Sequence, residues 1–200
     1  MEGAEEAKRQ REQLDRYLQW VREEGGVDGP TRIDTMLQPA QVARMEWLKA
    51  HCIGTILEVG CNWGIVLAWC GGQAGADKNR ANAELAQILA PHRKFYVADV
   101  RKLPMEDGAF DTVMLPDIIE HLLWKDVPKA LREARRVACQ KVLITVPDAD
   151  TPMGQTFRHA WLGTPEKVQA IREQFTNEKV TIEKKEGFIL MEVRLLPIAT

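Results

Sequence analysis

The sequence lacks several features that would place the protein in a specialised class. Its 27 basic and 29 acidic side chains leave a formal charge of −2, so no excess of positive charge favours a polyanion such as DNA or RNA as a partner. No window approaches the roughly 20 apolar residues that a membrane span needs. The N-terminus, MEGAEEAKRQREQ, is too charged for a secretory signal peptide. These absences predict a soluble, cytoplasmic protein.

Cysteines and histidines are few, and their spacing matches no metal or disulfide motif. Cys52, Cys61, Cys70 and Cys139 form no CxxC pair and lie in or beside apolar stretches. That arrangement is typical of reduced thiols in a cytosolic protein, so we expect small core residues. The four histidines also lack ligand spacing, and the sequence therefore predicts no metal site.

What the sequence does contain is a regular alternation of elements. With 200 residues, of which 45% are hydrophobic, the chain can bury one core and is too short for two ordinary domains. From Cys52 onward, short runs rich in Val, Ile and Leu alternate with helical stretches, as in a parallel sheet that helices cover on both faces. The C-terminal VTIEKKEGFILMEVRLL predicts a hairpin. We expect one α/β doubly wound domain over residues 51–200.

Two helices are predicted before the first strand. Residues 2–24 are rich in charge, and their apolar residues recur at spacings of three and four. The segment PAQVARMEWLKAH, opened by Pro39, predicts a second helix. We expect residues 1–50 to form a helical cap over the site, with Tyr17 and Trp20 as candidate substrate-binding residues. A packing element and an oligomer surface are equal alternatives for these helices.

The stretch ILEVGCNWG, residues 56–64, is the most informative. It forms the first strand-to-helix turn, and open parallel sheets bind ligands outside the carboxyl ends of their strands. A dinucleotide fingerprint, G-x-G-x-x-G, would need three glycines where the sequence has Gly60, Asn62 and Ile65. A nicotinamide-dependent oxidoreductase is therefore an alternative that this turn disfavours.

An acidic residue ends the second predicted strand. The run AGADK places Asp77 and Lys78 just before a helix, where a carboxylate could accept hydrogen bonds from both hydroxyls of a ribose. Because NAD also carries a ribose, Asp77 predicts a nucleoside ligand without choosing between cofactors.

Taken in order, the motifs resemble those of the class I S-adenosylmethionine-dependent methyltransferases, type 11 group, which includes quinone-biosynthesis enzymes. The first turn resembles the E/D-x-G-x-G-x-G loop, with Asn62 at a position that often needs a positive φ, which Asn tolerates. The later strands and loops of this family resemble two further runs, KFYVADVRKLPMEDGAFDTVMLPDIIEHL and KVLITVPD. Before the second run, Cys139 and Gln140 stand where the family often has a glycine pair. The likeness covers roughly residues 53–148.

The resemblance implies a site for S-adenosylmethionine, with S-adenosylhomocysteine as the product. The first turn would hold the methionine half and Asp77 the ribose, while Asp99 and the backbone of Val100 would hold the adenine. Leu103, Asp107, Phe110 and Asp111 would be structural. The implied cofactor-binding residues are Glu58, Gly60, Cys61, Asn62, Gly64, Asp77, Lys78, Asp99, Val100 and Leu115.

Candidate residues for the acceptor lie in the loops after the fourth and fifth predicted strands. LPDIIEHL puts Asp117 beside the sulfonium and His121 at the start of a long helical stretch. His121 could act as a general base, or could with Glu120 fix the helix start. His159 and Trp161 could line the acceptor pocket, or could face solvent and pack.

The combined prediction is a doubly wound, Rossmann-like, seven-stranded sheet with its last strand antiparallel and two N-terminal cap helices. The expected activity is methyl transfer to a small molecule, because the chain is nearly neutral and adds no recognition domain. A protein or RNA acceptor and a catalytically silent cofactor-binding scaffold remain alternatives, since a fold does not identify an acceptor. No NPPY-like motif follows the fourth strand, which disfavours methylation of exocyclic amines in nucleic-acid bases.

Overall fold

The computed structural model describes residues 38–151 and 159–196. The helix expected within residues 2–24, with Tyr17 and Trp20, lies outside these ranges, so its place over the site stays a prediction. The elements are α1 (Pro39–His51), β1 (Ile56–Val59), α2 (Ile65–Cys70), β2 (Ala74–Asp77), α3 (Arg80–Leu89), β3 (Lys94–Val97), β4 (Phe110–Pro116), α4 (Val127–Val137), β5 (Ala138–Pro147), α5 (Pro165–Arg172), β6 (Lys179–Lys185) and β7 (Phe188–Arg194).

The strands form one seven-stranded sheet in the order β3-β2-β1-β4-β5-β7-β6. Strands β1 to β5 pair in parallel, whereas β7 is antiparallel to both β5 and β6. The predicted doubly wound sheet with an antiparallel last strand is therefore confirmed. Because the chain winds from β1 out to β3 and then returns to β4, the strand order reverses between β1 and β4. Sheets of this kind bind ligands at such a switch point.

Apolar side chains fill both faces of the central strands. In β4, Val113 and Leu115 belong to the core cluster beneath α4, while Met114 belongs to the cluster beneath α1. Successive residues of a strand point to opposite faces, so a continuous apolar run is what two covered faces require. Met45 and Leu48 of α1 are buried as predicted, and Val42 is half-buried against the same cluster.

The helix predicted from Ile118 onward is shorter in the structure. Two 3₁₀ turns, Ile119–His121 and Trp124–Asp126, precede α4. The expectation that His121 opens the long helix is therefore wrong, because His121 ends a separate turn. Pro128 in the first turn of α4 explains the break, since a proline ring clashes with the carbonyl four residues earlier in a continuous helix.

Two expectations drawn from composition can be compared with the structure. All four cysteines are free; Cys61 and Cys70 are buried, Cys52 is half-buried and Cys139 is exposed. Cys139 therefore departs from the expected core position. Within the described ranges, none of the helices combines the length and the apolar character that crossing a bilayer requires.

Arg136 of α4 fixes the segment between β3 and β4. Its guanidinium donates to the carbonyl oxygens of Leu103 and Met105, at 3.1 and 2.8 Å, and to Asp107 Oδ1 at 2.7 Å. Glu133 accepts from the same guanidinium and from the backbone N–H of Leu103. Leu103 and Asp107 therefore make structural contacts, as the resemblance implied.

Arg136→Met tests whether the hydrogen bonds of Arg136 stabilise the segment between β3 and β4. The change leaves two backbone carbonyls without their donor and Glu133 without its cationic partner, so we expect the free energy of unfolding to fall by about 2–3 kcal/mol in urea denaturation. Arg132 lies on the same helix and is exposed, so Arg132→Met is the matched control, with an expected change below about 0.5 kcal/mol. An equal loss of unfolding free energy in the two variants would contradict a stabilising role of the Arg136 hydrogen bonds.

Candidate active site

The carboxyl ends of β1 to β4 open into a cleft of about 590 Å³. A narrower pocket of about 150 Å³, partly walled by Arg44 of α1, adjoins it. Gly60, Asn62 and Asp117 line both cavities. The site therefore has a wide arm along the ends of β2 and β3 and a narrow arm beside α1, which meet at the turn after β1.

The turn after β1 depends on positive φ angles. Gly60, Asn62 and Gly64 have φ of 75°, 48° and 79°, which confirms the expectation that Asn62 stands where a positive φ is needed. The backbone N–H groups of Gly60 and Cys61 both donate to the carbonyl of Ala76, at 2.7 and 3.1 Å. A Cβ at Gly60 would lie 2.6 Å from Ile118 Cδ1. Glycine therefore lets the chain pass close to the loop after β4.

Asp77 ties this turn to the start of α3. Its Oδ2 accepts from the backbone N–H of Asn62 and its Oδ1 from that of Asn79, each at 2.8 Å. Asp77 is buried yet lines the wide arm, where exposed Lys78 follows it. An ionised carboxylate offers about four lone-pair positions, so Asp77 can still accept two hydrogen bonds from a ligand.

Asp99 and Val100 lie at the far end of the wide arm. Arg101 donates to Asp99 through Nε at 2.8 Å and Nη2 at 2.7 Å, and its backbone N–H donates as well. The guanidinium holds the pKa of Asp99 down to about 2. With three donors bound, Asp99 keeps about one lone-pair position for a ligand. The sequence reasoning missed Arg101, although a cation two residues after the acid was a usable signal.

One buried acid, one half-buried acid and one buried arginine line the narrow arm. Glu58 is 2% exposed, and its Oε2 has no hydrogen-bond partner among the described residues. Burial raises the pKa of Glu58 to about 8, against the opposing effects of the Leu67 backbone and Arg44. Arg44, 3% exposed, places Nη1 3.3 Å from Asp117 Oδ2. Asp117 itself has a φ of 50° and accepts a 2.6 Å hydrogen bond from Thr145.

The sequence reasoning also missed Arg44. The side chains that α1 buries include Gln41, Arg44, Met45 and Leu48, which follow the spacing of one helix face. Two polar residues on that buried face were the available signal. A buried arginine needs acidic partners, so its position on α1 could have directed attention to this end of the sheet.

The loops after β4 and β5 meet beside the cleft. The backbone N–H of Ala160 donates to the carbonyl of Glu120 at 2.8 Å, and the rings of His121 and His159 lie 5.1 Å apart. His121 is exposed and lines the wide arm. Glu120 is fully buried, and burial together with the nearby Asp117 raises its pKa well above the usual range.

Three of the predicted site residues do not face the cleft through a side chain. The side chain of Leu115 is fully buried in the core beneath α4. Trp161 packs edge to face on Trp124, with ring centroids 4.9 Å apart. Gly64 caps α2. The other predicted residues in the described ranges lie on the two arms, except His159, which lies beside His121.

Comparison with known proteins agrees with this geometry. The sequence profile of the Methyltransf_11 family, described as a methyltransferase domain, matches residues 57–145. Among the curated proteins, none matches the sequence. The matched segment runs from β1 to the carboxyl half of β5 and contains Gly60, Asp77 and Asp99.

Solved structures with this fold include three examples. A methyltransferase from Thermotoga maritima, described as a possible histamine N-methyltransferase, is 14% identical with a TM-score of 0.67, covering 90% of this chain and 95% of its own. Magnesium protoporphyrin IX methyltransferase from Synechocystis PCC 6803, with bound SAH, is 17% identical with a TM-score of 0.61, covering 90% and 93%. One chain of the Pnkp1/Rnl/Hen1 RNA repair complex is 14% identical with a TM-score of 0.63, and the match covers 79% of this chain and 42% of that one. At these identities the likeness concerns the fold.

Gly60→Ala tests the close approach at the first turn. Alanine must adopt the positive φ and also meet Ile118, so we expect the free energy of unfolding to fall by about 2–4 kcal/mol. Gly108 also has a positive φ, 65°, but a Cβ there would meet nothing closer than 4.0 Å.

Gly108→Ala is therefore the matched control, and it should cost only the backbone strain, about 1 kcal/mol. Adding Ile118→Ala to Gly60→Ala should recover part of the loss. Equal effects of the two glycine substitutions would show that the contact with Ile118 is unimportant.

Proposed function

We propose that this chain, which carries a class I methyltransferase domain of the Methyltransf_11 family, transfers a methyl group from S-adenosylmethionine to a small-molecule acceptor. The observation that carries the proposal is the two-armed cleft at the switch point of the sheet. Gly60 lies at its centre, and the carboxylate oxygens of Asp77, which can accept hydrogen bonds, lie on its wall. The wide arm offers hydrogen-bond acceptors that suit the nucleoside of S-adenosylmethionine. The narrow arm offers charges of both signs that suit its amino-acid end.

The wide arm fits the nucleoside. Asp77 has two lone-pair positions left for the ribose hydroxyls, and it lines the cleft beside Asn62. Asp99 has about one position left, which suits the single hydrogen bond to an adenine amino group. The backbone of Val100 lies next to it on the same wall and would contact the ring.

The narrow arm fits the amino-acid end. Arg44 is a buried cation that would hold the α-carboxylate, and Glu58 and Asp117 are acids that would hold the α-ammonium. The Oε2 of Glu58 has no hydrogen-bond partner within residues 38–151 and 159–196, and buried polar groups are normally satisfied. A zwitterionic ligand would satisfy both signs of charge.

The chemistry depends on alignment. The bound cofactor supplies a methyl group on a sulfonium, and transfer breaks its C–S bond while a lone pair of the acceptor forms the new bond to carbon. Gly60 and Ile118 shape the place where the two arms meet. There the acceptor atom must approach the methyl carbon to about 3–3.5 Å. Asp117 and His121 line the wall beyond and would position a polar acceptor.

A small-molecule acceptor is favoured over a polymer. The formal charge of −2 gives no general attraction for nucleic acid. The Thermotoga and Synechocystis proteins are described as acting on histamine and magnesium protoporphyrin IX, which are small molecules. The similarity to a component of an RNA repair complex keeps RNA as the second acceptor class to be screened.

Asp77→Ala tests the cofactor site. Calorimetric titration of S-adenosylhomocysteine into the wild type should give micromolar binding. The variant should bind about tenfold more weakly or worse, since it loses hydrogen bonds to an ionised group worth about 1.4 kcal/mol or more. Asp77→Asn should fall between them, because its amide keeps one acceptor oxygen.

Glu84→Ala is the matched control, because Glu84 lies on the exposed face of α3, and it should change the affinity less than twofold. NADH should not bind. Absence of S-adenosylhomocysteine binding by the folded wild type, or tighter binding of NADH, would contradict the proposed function and favour the scaffold or the oxidoreductase.

The raised pKa of Glu58 gives the cofactor site a pH dependence. With a pKa of about 8, the free protein is protonated at Glu58 near pH 6. A bound ammonium favours the ionised form, so binding releases a proton. The affinity for S-adenosylhomocysteine should therefore rise by up to about tenfold per pH unit between pH 6 and 8, then level off. The charged and titratable groups that face Glu58 are Arg44, Asp77, Cys52, Cys61 and Cys70.

Glu58→Gln should flatten this dependence. Calorimetry at pH 7 in two buffers of different ionisation enthalpy measures the proton release directly. The release should approach one proton per ligand in the wild type and vanish in the variant. The same pH slope in both proteins would assign the dependence to another group.

A further inference from the structure

Beside the acceptor end of the cleft, three side chains from two loops converge: Glu120, His121 and His159. Each can place one ligand atom within 4.8 Å of the others. We propose that these three side chains bind one divalent transition-metal ion. The sequence predicted no metal site, because Glu120 and His121 come from the loop after β4 while His159 comes from the loop after β5.

The loops hold the three residues at a distance that suits an ion. Ligand atoms around an ion with bonds of 2.0–2.1 Å lie about 3.3 Å apart in tetrahedral geometry, so small side-chain rotations would close the site. The hydrogen bond from Ala160 to the carbonyl of Glu120 fixes one loop against the other. Next to it, Trp161 packs on Trp124, which supports the loop that carries His159.

The carboxylate of Glu120 is an independent indication of a cation. The residue is 0% exposed, and both its carboxylate oxygens lack a hydrogen-bond partner in the part of the chain that the structure describes. Burying a carboxylate in that way is costly unless a cation or donors compensate it. Arg44, a buried cation whose charge acts on Glu120, is already paired with Asp117. An ion between Glu120 and the two imidazoles would supply the compensation.

The ligand set selects the type of metal. Two imidazoles and one carboxylate suit Zn²⁺, Co²⁺, Ni²⁺, Mn²⁺ or Fe²⁺, whereas Mg²⁺ and Ca²⁺ prefer oxygen ligands alone. Three protein ligands leave at least one coordination position open, as in catalytic rather than structural sites. His121 also lines the cleft, so the ion would lie at the acceptor end.

A role for the ion rests on the proposed function. An acceptor hydroxyl bound at the open position would have a lowered pKa. Its proton could then pass to solvent, and the oxygen lone pair would remain to attack the methyl carbon. His121 would serve as a metal ligand rather than as the general base, and oxygen acceptors would be the preferred class.

The test is titration of the full chain with Co²⁺, followed by its visible absorption, in a Cys139→Ser background that removes the exposed thiol. We expect one Co²⁺ per chain, displaced by Zn²⁺ but not by Mg²⁺. His159→Ala and Glu120→Gln should each weaken binding by about tenfold or more. His92→Ala, which removes an exposed histidine of another region, is the matched control and should leave binding unchanged.

Failure of the folded background protein to bind Co²⁺ would overturn the proposal, and so would variants at Glu120 and His159 that bind as tightly as the control. Titration of S-adenosylhomocysteine without metal separates the two proposals. If S-adenosylhomocysteine binds and Co²⁺ does not, only the metal site is wrong. If Co²⁺ binds at these residues and S-adenosylhomocysteine does not, the proposed function is wrong and the metal site stands.

Discussion

The site depends on one buried cation among several buried acids. Arg44 reaches from α1 to Asp117, lies close enough to stabilise the ionised form of Glu58, and acts in the same sense on Glu120. One guanidinium cannot neutralise three carboxylates, so burial keeps the pKa of two of them high. The carboxyl ends of β1 and β4 therefore form a region that favours positive charge. A sulfonium, an ammonium and a metal ion are all species that such a region stabilises.

Much of the fold, and part of the candidate site, could be predicted from local patterns in the sequence. Apolar runs such as those of β4 must be covered on both faces, and their alternation with helical stretches predicted the parallel sheet and its helices. The place of Asp77 followed from a carboxylate at a strand end, and the positive φ of Asn62 followed from the resemblance of this turn to the E/D-x-G-x-G-x-G loop. These features are encoded within a few neighbouring residues, so one sequence suffices to find them.

The features that the sequence did not predict join residues that are distant along the chain. Arg44 and Asp117 meet only after α1 packs on the sheet. Glu120 and His159 come close where Ala160 of the loop after β5 donates a backbone hydrogen bond to Glu120 of the loop after β4. The periodicity of apolar residues along the chain carries no information about contacts between distant residues. The helix break at Pro128 was a different failure: the signal was local, but the apolar and charged pattern around it favoured one long helix.

Of these long-range contacts, the one between Glu120 and His159 lies on the side of the cleft that would face the acceptor, whereas Arg44 and Asp117 line the narrow arm. The first turn and Asp77 would serve a cofactor that many proteins share, whereas the loops after β4 and β5 carry Asp117, Glu120, His121 and His159. A fold found at 14–17% identity in proteins described with different substrates cannot fix the acceptor by its sheet. Loops held by a rigid scaffold can, and here their chemistry is a buried carboxylate beside two imidazoles. Under the proposed metal site, the identity of the acceptor becomes a question about oxygen and metal chemistry at this end of the cleft, separate from the recognition of the cofactor.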